Sequence, residues 1–162
     1  MSIASIALPR IFRIGGGASK QLPGVLGVLG LSRPLIVTDG WLVSSGRVAE
    51  LTDGLTAAGI AARVFADTVP DPTVASIDAG VAFLQDGEHD CVVGFGGGSP
   101  LDSAKAIALL GKLGGAMADY KAPHVQDTPG LPVIAIPTTA GTGSEATRFT
   151  IITDETTDEK ML

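Results

Sequence analysis

The sequence predicts an α/β fold in which a doubly wound, mostly parallel sheet is covered by helices on both faces. Short apolar runs rich in Val and Ile recur along the 162 residues, and segments with a helical apolar period separate them. Strands that lack polar alternation are typical of a parallel sheet with crossover helices above and below it. We expect one domain over residues 1–162, because a chain of this length can build its own core.

The predicted elements alternate between strand and helix in chain order. Residues 35–38 form the first strand, and the stripe of Val48, Leu51 and Leu55 predicts a helix that ends at Gly59. The later strands are predicted at 62–66, 91–95 and 133–136, the later helices at 74–84 and 99–112, and a Pro-rich turn at 69–72.

Charge and composition exclude several classes of function. The longest uncharged run, residues 128–144, is broken by three prolines and is too short to cross a membrane. The net charge is −6, and no basic stripe is present for a nucleic acid partner. One cysteine cannot form an internal disulfide, and no signal-peptide pattern is visible, so we expect a cytoplasmic protein. The acidic residues at 154–159 predict a solvated turn.

The strongest chemical signal is the Gly-rich segment that joins the third predicted strand to a helix. Gly96, Gly97 and Gly98 let a ligand approach the backbone, and the free N–H groups at a helix start attract phosphate. The alternative is a Gly-rich turn that only starts a helix. Three successive glycines favour phosphate binding.

Ser99-x-x-Asp102 predicts a capping box, with Ser99 at the N-cap and Pro100 as the first helical residue. The carboxylate of Asp102 would repel a bound phosphate unless it turns toward backbone amides or Lys105. The segment departs from the standard dinucleotide fingerprint, because Ser99 replaces the third glycine.

Two further segments follow predicted strands. Asp39 ends the first strand, where a carboxylate can accept hydrogen bonds from the ribose of NAD and repel the extra phosphate of NADP. It can also cap a helix that starts near Trp41, and both interpretations can hold. Residues 136–147 follow the fourth strand and carry five hydroxyls and two glycines, which is typical of a ligand-binding loop.

The usual catalytic and metal-binding patterns are not found in the sequence. His89 and His124 have no metal-ligand spacing, and Cys91 begins an apolar strand as a core thiol would. Residues 15–17 predict a structural Gly turn before a helix-like stretch at 18–29. We therefore predict neither catalytic residues nor a metal site in this chain.

Taken together, Asp39, the run GGGSPLDSAK at 96–105 and the run PTTAGTGSE at 137–145 resemble the iron-containing alcohol dehydrogenases. The likeness extends from Pro9 to Leu162. The family implies a Rossmann-like domain of non-standard strand order, followed by a helical domain that holds Fe²⁺ or Zn²⁺ through one Asp and three His. Those ligands would lie beyond Leu162, so the chain is expected to be the cofactor-binding half of a longer enzyme, inactive alone.

The resemblance also implies which residues bind NAD. Asp39 would contact the adenosine ribose and Asp71 would lie near the adenine, while Gly97, Gly98 and Ser99 would hold the pyrophosphate. The residues implied along the path to the nicotinamide are Thr138, Thr139, Thr142, Thr147 and Ile151, with Lys160 also reaching the cofactor. Gly96 and Asp102 complete the predicted cofactor-binding set.

The activity implied by the family is reversible reduction of a small aldehyde or ketone to an alcohol by NADH. Two alternatives are related metal enzymes, one resembling dehydroquinate synthase and one resembling glycerol dehydrogenase, although the latter usually has Lys where Ser99 stands. A third is a non-catalytic nucleotide-binding module, if the chain is complete. The expected partner is a small molecule, and homo-oligomerisation stays open.

Overall fold

A computed structural model describes residues 9–162 of the chain. Residues 1–8, which the one-domain prediction includes, lie outside this part. The four parallel strands are β1 (Pro34–Val37), β2 (Arg63–Phe65), β3 (Cys91–Gly96) and β4 (Val133–Pro137), and an antiparallel hairpin is formed by β5 (Ile152–Asp154) and β6 (Glu159–Met161). The helices are α1 (Leu22–Leu29), α2 (Gly40–Ser44), α3 (Arg47–Ala57), α4 (Val74–Gln85) and α5 (Gly98–Leu113), with 3₁₀ turns at Ala18–Gln21 and Met117–Tyr120.

Alternate residues of the central strands pack on opposite faces of the sheet. Leu35 and Val92 belong to a buried cluster with side chains of α4 and α5. Ile36 and Val93 belong to a second cluster with side chains of α1 and α3. Both faces are therefore covered, which confirms the doubly wound architecture. No helix within residues 9–162 is long and apolar enough to cross a membrane.

The strand order is β2-β1-β3-β4, and all three pairings are parallel. The chain leaves β1 toward β2 on one side and later returns to build β3 on the other side. This reversal makes the space between the carboxyl ends of β1 and β3 a topological switch point, where ligands bind in open α/β sheets. The order also confirms the predicted departure from the usual dinucleotide-binding arrangement.

The structure corrects the predicted capping box. Helix α5 begins at Gly98, its N-cap is Gly97, and no side chain caps it. Ser99 is therefore the second helical residue, and the ring of Pro100 is tolerated because its missing N–H lies in the first turn, before the helical hydrogen bonds begin. The carboxylate of Asp102 has other partners, described below.

Two further local expectations also differ from the structure. Strand β4 lies at the edge of the parallel sheet, where Val133 is 38% exposed although its apolar sequence predicts burial. The acidic end forms the β5–β6 hairpin, whose strands the sequence did not predict, and only its connection is the expected exposed turn. The 18–29 stretch divides into a 3₁₀ turn and α1.

Helix α5 packs unusually close to β3 at Gly94. A Cβ added there would lie 2.9 Å from the Cβ of Ala104 and 3.3 Å from the Cα of Leu101. We expect Gly94→Ala to lower the free energy of unfolding by about 1–3 kcal/mol, because overpacking would displace the helix. Urea unfolding followed by circular dichroism measures this change.

The matched control is Gly54→Ala in α3, where nothing lies within 4 Å of the added methyl group. This change should raise the free energy of unfolding by about 0.4–1 kcal/mol, because alanine lowers the conformational entropy of the unfolded chain. Equal effects of the two substitutions would contradict the close packing of α5 on β3.

Candidate cofactor-binding site

A groove of about 430 Å³ lies at the carboxyl edge of the parallel sheet. It occupies the switch point between β1 and β3, and its far wall follows β4. Its lining comes from the segments after all four parallel strands, namely Asp39, Trp41, Leu42, Thr68, Val69, Pro70, Gly97, Gly98, Ser99, Pro100, Thr138 and Thr139. Six of the predicted cofactor-binding residues are thus brought to one groove: Asp39, Gly97, Gly98, Ser99, Thr138 and Thr139.

The start of α5 supplies hydrogen-bond donors to this groove. The backbone bond from Leu101 N to Gly97 O, at 3.3 Å, begins the helical pattern, so the amides of Gly98 and Ser99 precede it. The positive end of the helix dipole lies at the same point. This end of α5 can therefore bind an anion such as a pyrophosphate.

The three glycines have different roles in the structure. Gly96 has φ 154°, and a Cβ there would lie 2.6 Å from Cγ of Pro100, so the fold itself requires glycine. At Gly97 the nearest atom to an added Cβ would be Oγ1 of Thr139 at 3.3 Å, and at Gly98 it would be Thr142 at 3.6 Å. Glycine at 98 is thus not needed for packing, and the space that a side chain would fill is open to a ligand.

Asp39 follows the buried Thr38 at the end of β1 and is the N-cap of α2. Its Oδ1 accepts a hydrogen bond of 2.8 Å from the backbone N–H of Leu42. The capping interpretation of Asp39 is therefore confirmed. Because the residue also lines the groove, its contact with a ribose stays a compatible prediction.

Asp71 and Lys160 lie outside this groove but contact each other. The Lys160 Nζ is 3.2 Å from Asp71 Oδ1, and both side chains are mostly exposed. Thr153 N also donates to Pro72 O at 2.7 Å, so the β5–β6 hairpin is attached to the loop that precedes α4. Two residues that the resemblance implies at the cofactor, 89 positions apart, are thus neighbours.

The remaining predicted residues lie along the loop after β4 and on α5. Thr142 faces the start of α5 near Gly98. Thr147 and Ile151 belong to an exposed segment that hydrogen-bonds to α5. The Asp102 carboxylate lies against Lys105 and accepts a hydrogen bond from the backbone N–H of Ile151.

Comparison with known proteins now identifies the family. The family model described as iron-containing alcohol dehydrogenase matches residues 9–162. The chain belongs to the iron-containing alcohol dehydrogenase family.

Relatives with sequence or structure similarity agree with this assignment. Long-chain-alcohol dehydrogenase 1 of Geobacillus thermodenitrificans (strain NG80-2) is 41% identical over 98% of this chain. A solved 1,3-propanediol oxidoreductase matches with a TM-score of 0.93 and 30% identity over 99% of the chain. The sulfoacetaldehyde reductase of Bifidobacterium kashiwanohense, solved in complex with NAD⁺, matches with a TM-score of 0.88 and 32% identity over 99%. The chain spans only 41%, 42% and 43% of these proteins, respectively.

The sequence missed part of this family member's groove. Thr68, Val69 and Pro70 follow β2, and Thr68 Oγ1 donates to Thr38 O at 2.8 Å, which joins the two strand ends. Trp41 is 69% exposed and lines the groove beside Asp39. All four residues follow the end of a strand, and that position was the signal in the sequence. Their residue types, however, do not point to a particular chemistry.

A metal site fitting the family name is not formed by the described residues. Within residues 9–162, no three His, Cys, Asp or Glu side chains are grouped so that they could hold an ion. His89 has a pKa lowered by partial burial, and its Nδ1 lies 3.3 Å from the backbone oxygen of Arg33. Its contacts join the starts of β1 and β3, at the opposite end of the sheet from the groove at the carboxyl edge.

Cys91 is fully buried at the start of β3, which confirms the predicted core thiol. Burial raises the pKa of this thiol to about 12, and the neighbouring Asp90 contributes in the same direction. The thiol therefore stays protonated, and its reactive thiolate form is scarce, even well above neutral pH.

We expect Cys91 to resist a chromogenic disulfide reagent at pH 8 in the native protein and to react completely in urea, because both burial and protonation protect it. Stoichiometric reaction without denaturant, at the rate of an exposed thiol, would contradict this assignment.

Proposed function

We propose that this chain is the NAD-binding half of a metal-assisted oxidoreductase that interconverts a small alcohol with its aldehyde or ketone. The observation that supports it best is the meeting of the free Gly98 and Ser99 amides with Asp39 in one switch-point groove. The NAD⁺ complex of the similar sulfoacetaldehyde reductase supports the choice of dinucleotide.

Each end of the groove has a task in this proposal. The amides of Gly98 and Ser99 donate hydrogen bonds to pyrophosphate oxygens, and the α5 dipole favours their negative charge. The Asp39 carboxylate keeps its bond to Leu42 N and accepts ribose hydroxyls with its remaining lone pairs. Thr138 and Thr139 provide hydroxyls on the opposite wall. Bound NAD supplies the hydride chemistry, and the protein orients it.

The metal, Fe²⁺ or Zn²⁺, is assigned to ligands outside this chain, because residues 9–162 form no ligand set for it. In this proposal residues 1–162 bind the dinucleotide but do not turn over substrate. The small alcohol or aldehyde substrate and a cytoplasmic location belong to the proposal as well.

The first test is Gly98→Ala. The added methyl group would enter the space between α5 and Thr142, so NAD affinity should fall by about tenfold or more, which is 1.4 kcal/mol per factor of ten. Folding should be retained, since the nearest contacts are ordinary at 3.6 Å. Titration of NAD, followed through the fluorescence of the single tryptophan Trp41 in the groove, measures the affinity.

Gly27→Ala in α1 is the control, because it adds the same methyl group where nothing lies within 4 Å. It should leave NAD affinity unchanged. If the original protein gave no saturable signal with NAD by fluorescence or calorimetry, the proposed function would be wrong. If Gly98→Ala bound NAD as tightly as Gly27→Ala, the pyrophosphate would lie elsewhere.

The second test separates the two roles of Asp39. Asp39→Asn retains an acceptor for the N–H of Leu42 but removes the charge, so stability should stay nearly constant. The preference for NAD over NADP should fall, because the repulsion of the extra phosphate is lost. Asp39→Ala should also lower the free energy of unfolding by about 0.5–2 kcal/mol through loss of the cap. Parallel titrations with NAD and NADP, and urea unfolding, measure these changes; an unchanged preference in Asp39→Asn would remove Asp39 from the specificity role.

A further inference from the structure

Asp102 and Lys105 form a mostly buried ion pair one turn inside α5. Their side chains are 13% and 16% exposed, and the Lys105 Nζ lies 2.9 Å from Asp102 Oδ1. The Oδ1 atom is removed from solvent. A buried carboxylate is costly unless it is paired, so this lysine is its necessary counter-charge.

The same two residues hold the 147–151 segment against α5. The Lys105 Nζ donates to the backbone oxygen of Phe149 and lies 3.5 Å from Thr147 Oγ1. Asp102 Oδ2 accepts a 3.2 Å bond from the N–H of Ile151, and the Asp102 backbone oxygen accepts a 2.9 Å bond from Thr150 Oγ1. Two adjacent turns of the helix thus contact four of the five residues in the segment.

Apolar packing contributes little within the segment itself, although the next residue, Ile152, is buried in the core. Phe149 is 63% exposed and Ile151 is 48% exposed. The intervening Arg148 reaches a different loop, where it donates to Gln126 O at 3.0 Å. Before Ile152, the segment is held in place mainly by its polar contacts with α5.

We infer that Asp102 and Lys105 are positioning residues, which hold the 147–151 segment so that Thr147 and Ile151 can receive the nicotinamide half of the dinucleotide. This inference rests on the proposed function and refines it. Both oxygens of Asp102 are already engaged, by Lys105 and by Ile151 N, and its charge would repel a phosphate. Asp102 therefore acts on the cofactor through the segment rather than by direct contact.

The experiment compares two readouts in Asp102→Ala within the full protein. The first is trypsin cleavage after Arg148, measured without ligand and relative to cleavage after the exposed Arg13 in the same digest. We expect the relative rate to rise about fivefold or more, because the segment must leave α5 to be cut. The second is affinity for NAD and for ADP-ribose, which lacks the nicotinamide. NAD should bind about fivefold or more weakly, while the affinity for ADP-ribose changes less than twofold.

Three further variants make the test independent of how Asp102→Ala alone behaves. Asp78→Ala makes the same change at an exposed position of α4 and should alter neither readout. Lys105→Met removes the amine while keeping the chain length, and it should reproduce both effects if Asp102→Ala does not fold. Asp102→Asn retains an acceptor for the Ile151 N–H, so it should show a smaller rise in cleavage and a smaller fall in NAD affinity than Asp102→Ala.

The outcomes separate this inference from the proposed function. Cleavage that stays at the original rate in both Asp102→Ala and Lys105→Met would overturn it. Equal losses of NAD and ADP-ribose affinity would also overturn it, because Asp102 would then act on the phosphate side. If the original protein bound neither compound, the proposed function itself would fail, and the positioning role would fall with it.

Discussion

The arrangement of this domain depends on the close approach of α5 to β3. Gly94 permits the helix to lie against the strand, and Gly96 lets the chain turn under Pro100 from one into the other. The turn occurs at the reversal of strand order, so the first amides of α5 lie at the switch point between β1 and β3, in the groove that the loop after β4 also lines. A small shift of this helix would move the donors, the loop after β4 and the segment hydrogen-bonded to α5 together.

Several side chains at this edge stabilise the fold and also line the groove. Asp39 satisfies an orphan amide of α2 while facing the groove, and Thr68 joins the ends of β1 and β2 with a buried hydroxyl bond. Dual use is expected at this edge, because the carboxyl ends of parallel strands expose backbone N–H and C=O groups that need hydrogen-bond partners. It also means that substitutions must separate charge from hydrogen bonding before a binding role can be assigned.

The structure carries the likeness to iron-containing alcohol dehydrogenases through the glycine run, Asp39 and the Thr-rich loop, which fold onto a single edge. The described residues offer donors, acceptors and a dipole, but no metal ligand set and no reactive thiol. The chain spans about two fifths of the length of these relatives.

The amino-acid sequence alone determined the alternation of strands and helices and most of the segments that line the groove. Apolar periodicity is a local property, and a run of glycines or hydroxyls directly after a predicted strand is visible in the sequence. Tertiary structure decided the strand order, the exposure of Val133 at the sheet edge, the start of α5 at Gly98 and the pairings of Asp71 with Lys160 and of Asp102 with Ile151. These depend on which segments become neighbours in space, and contacts between residues 49 or 89 positions apart leave no periodic trace in the chain.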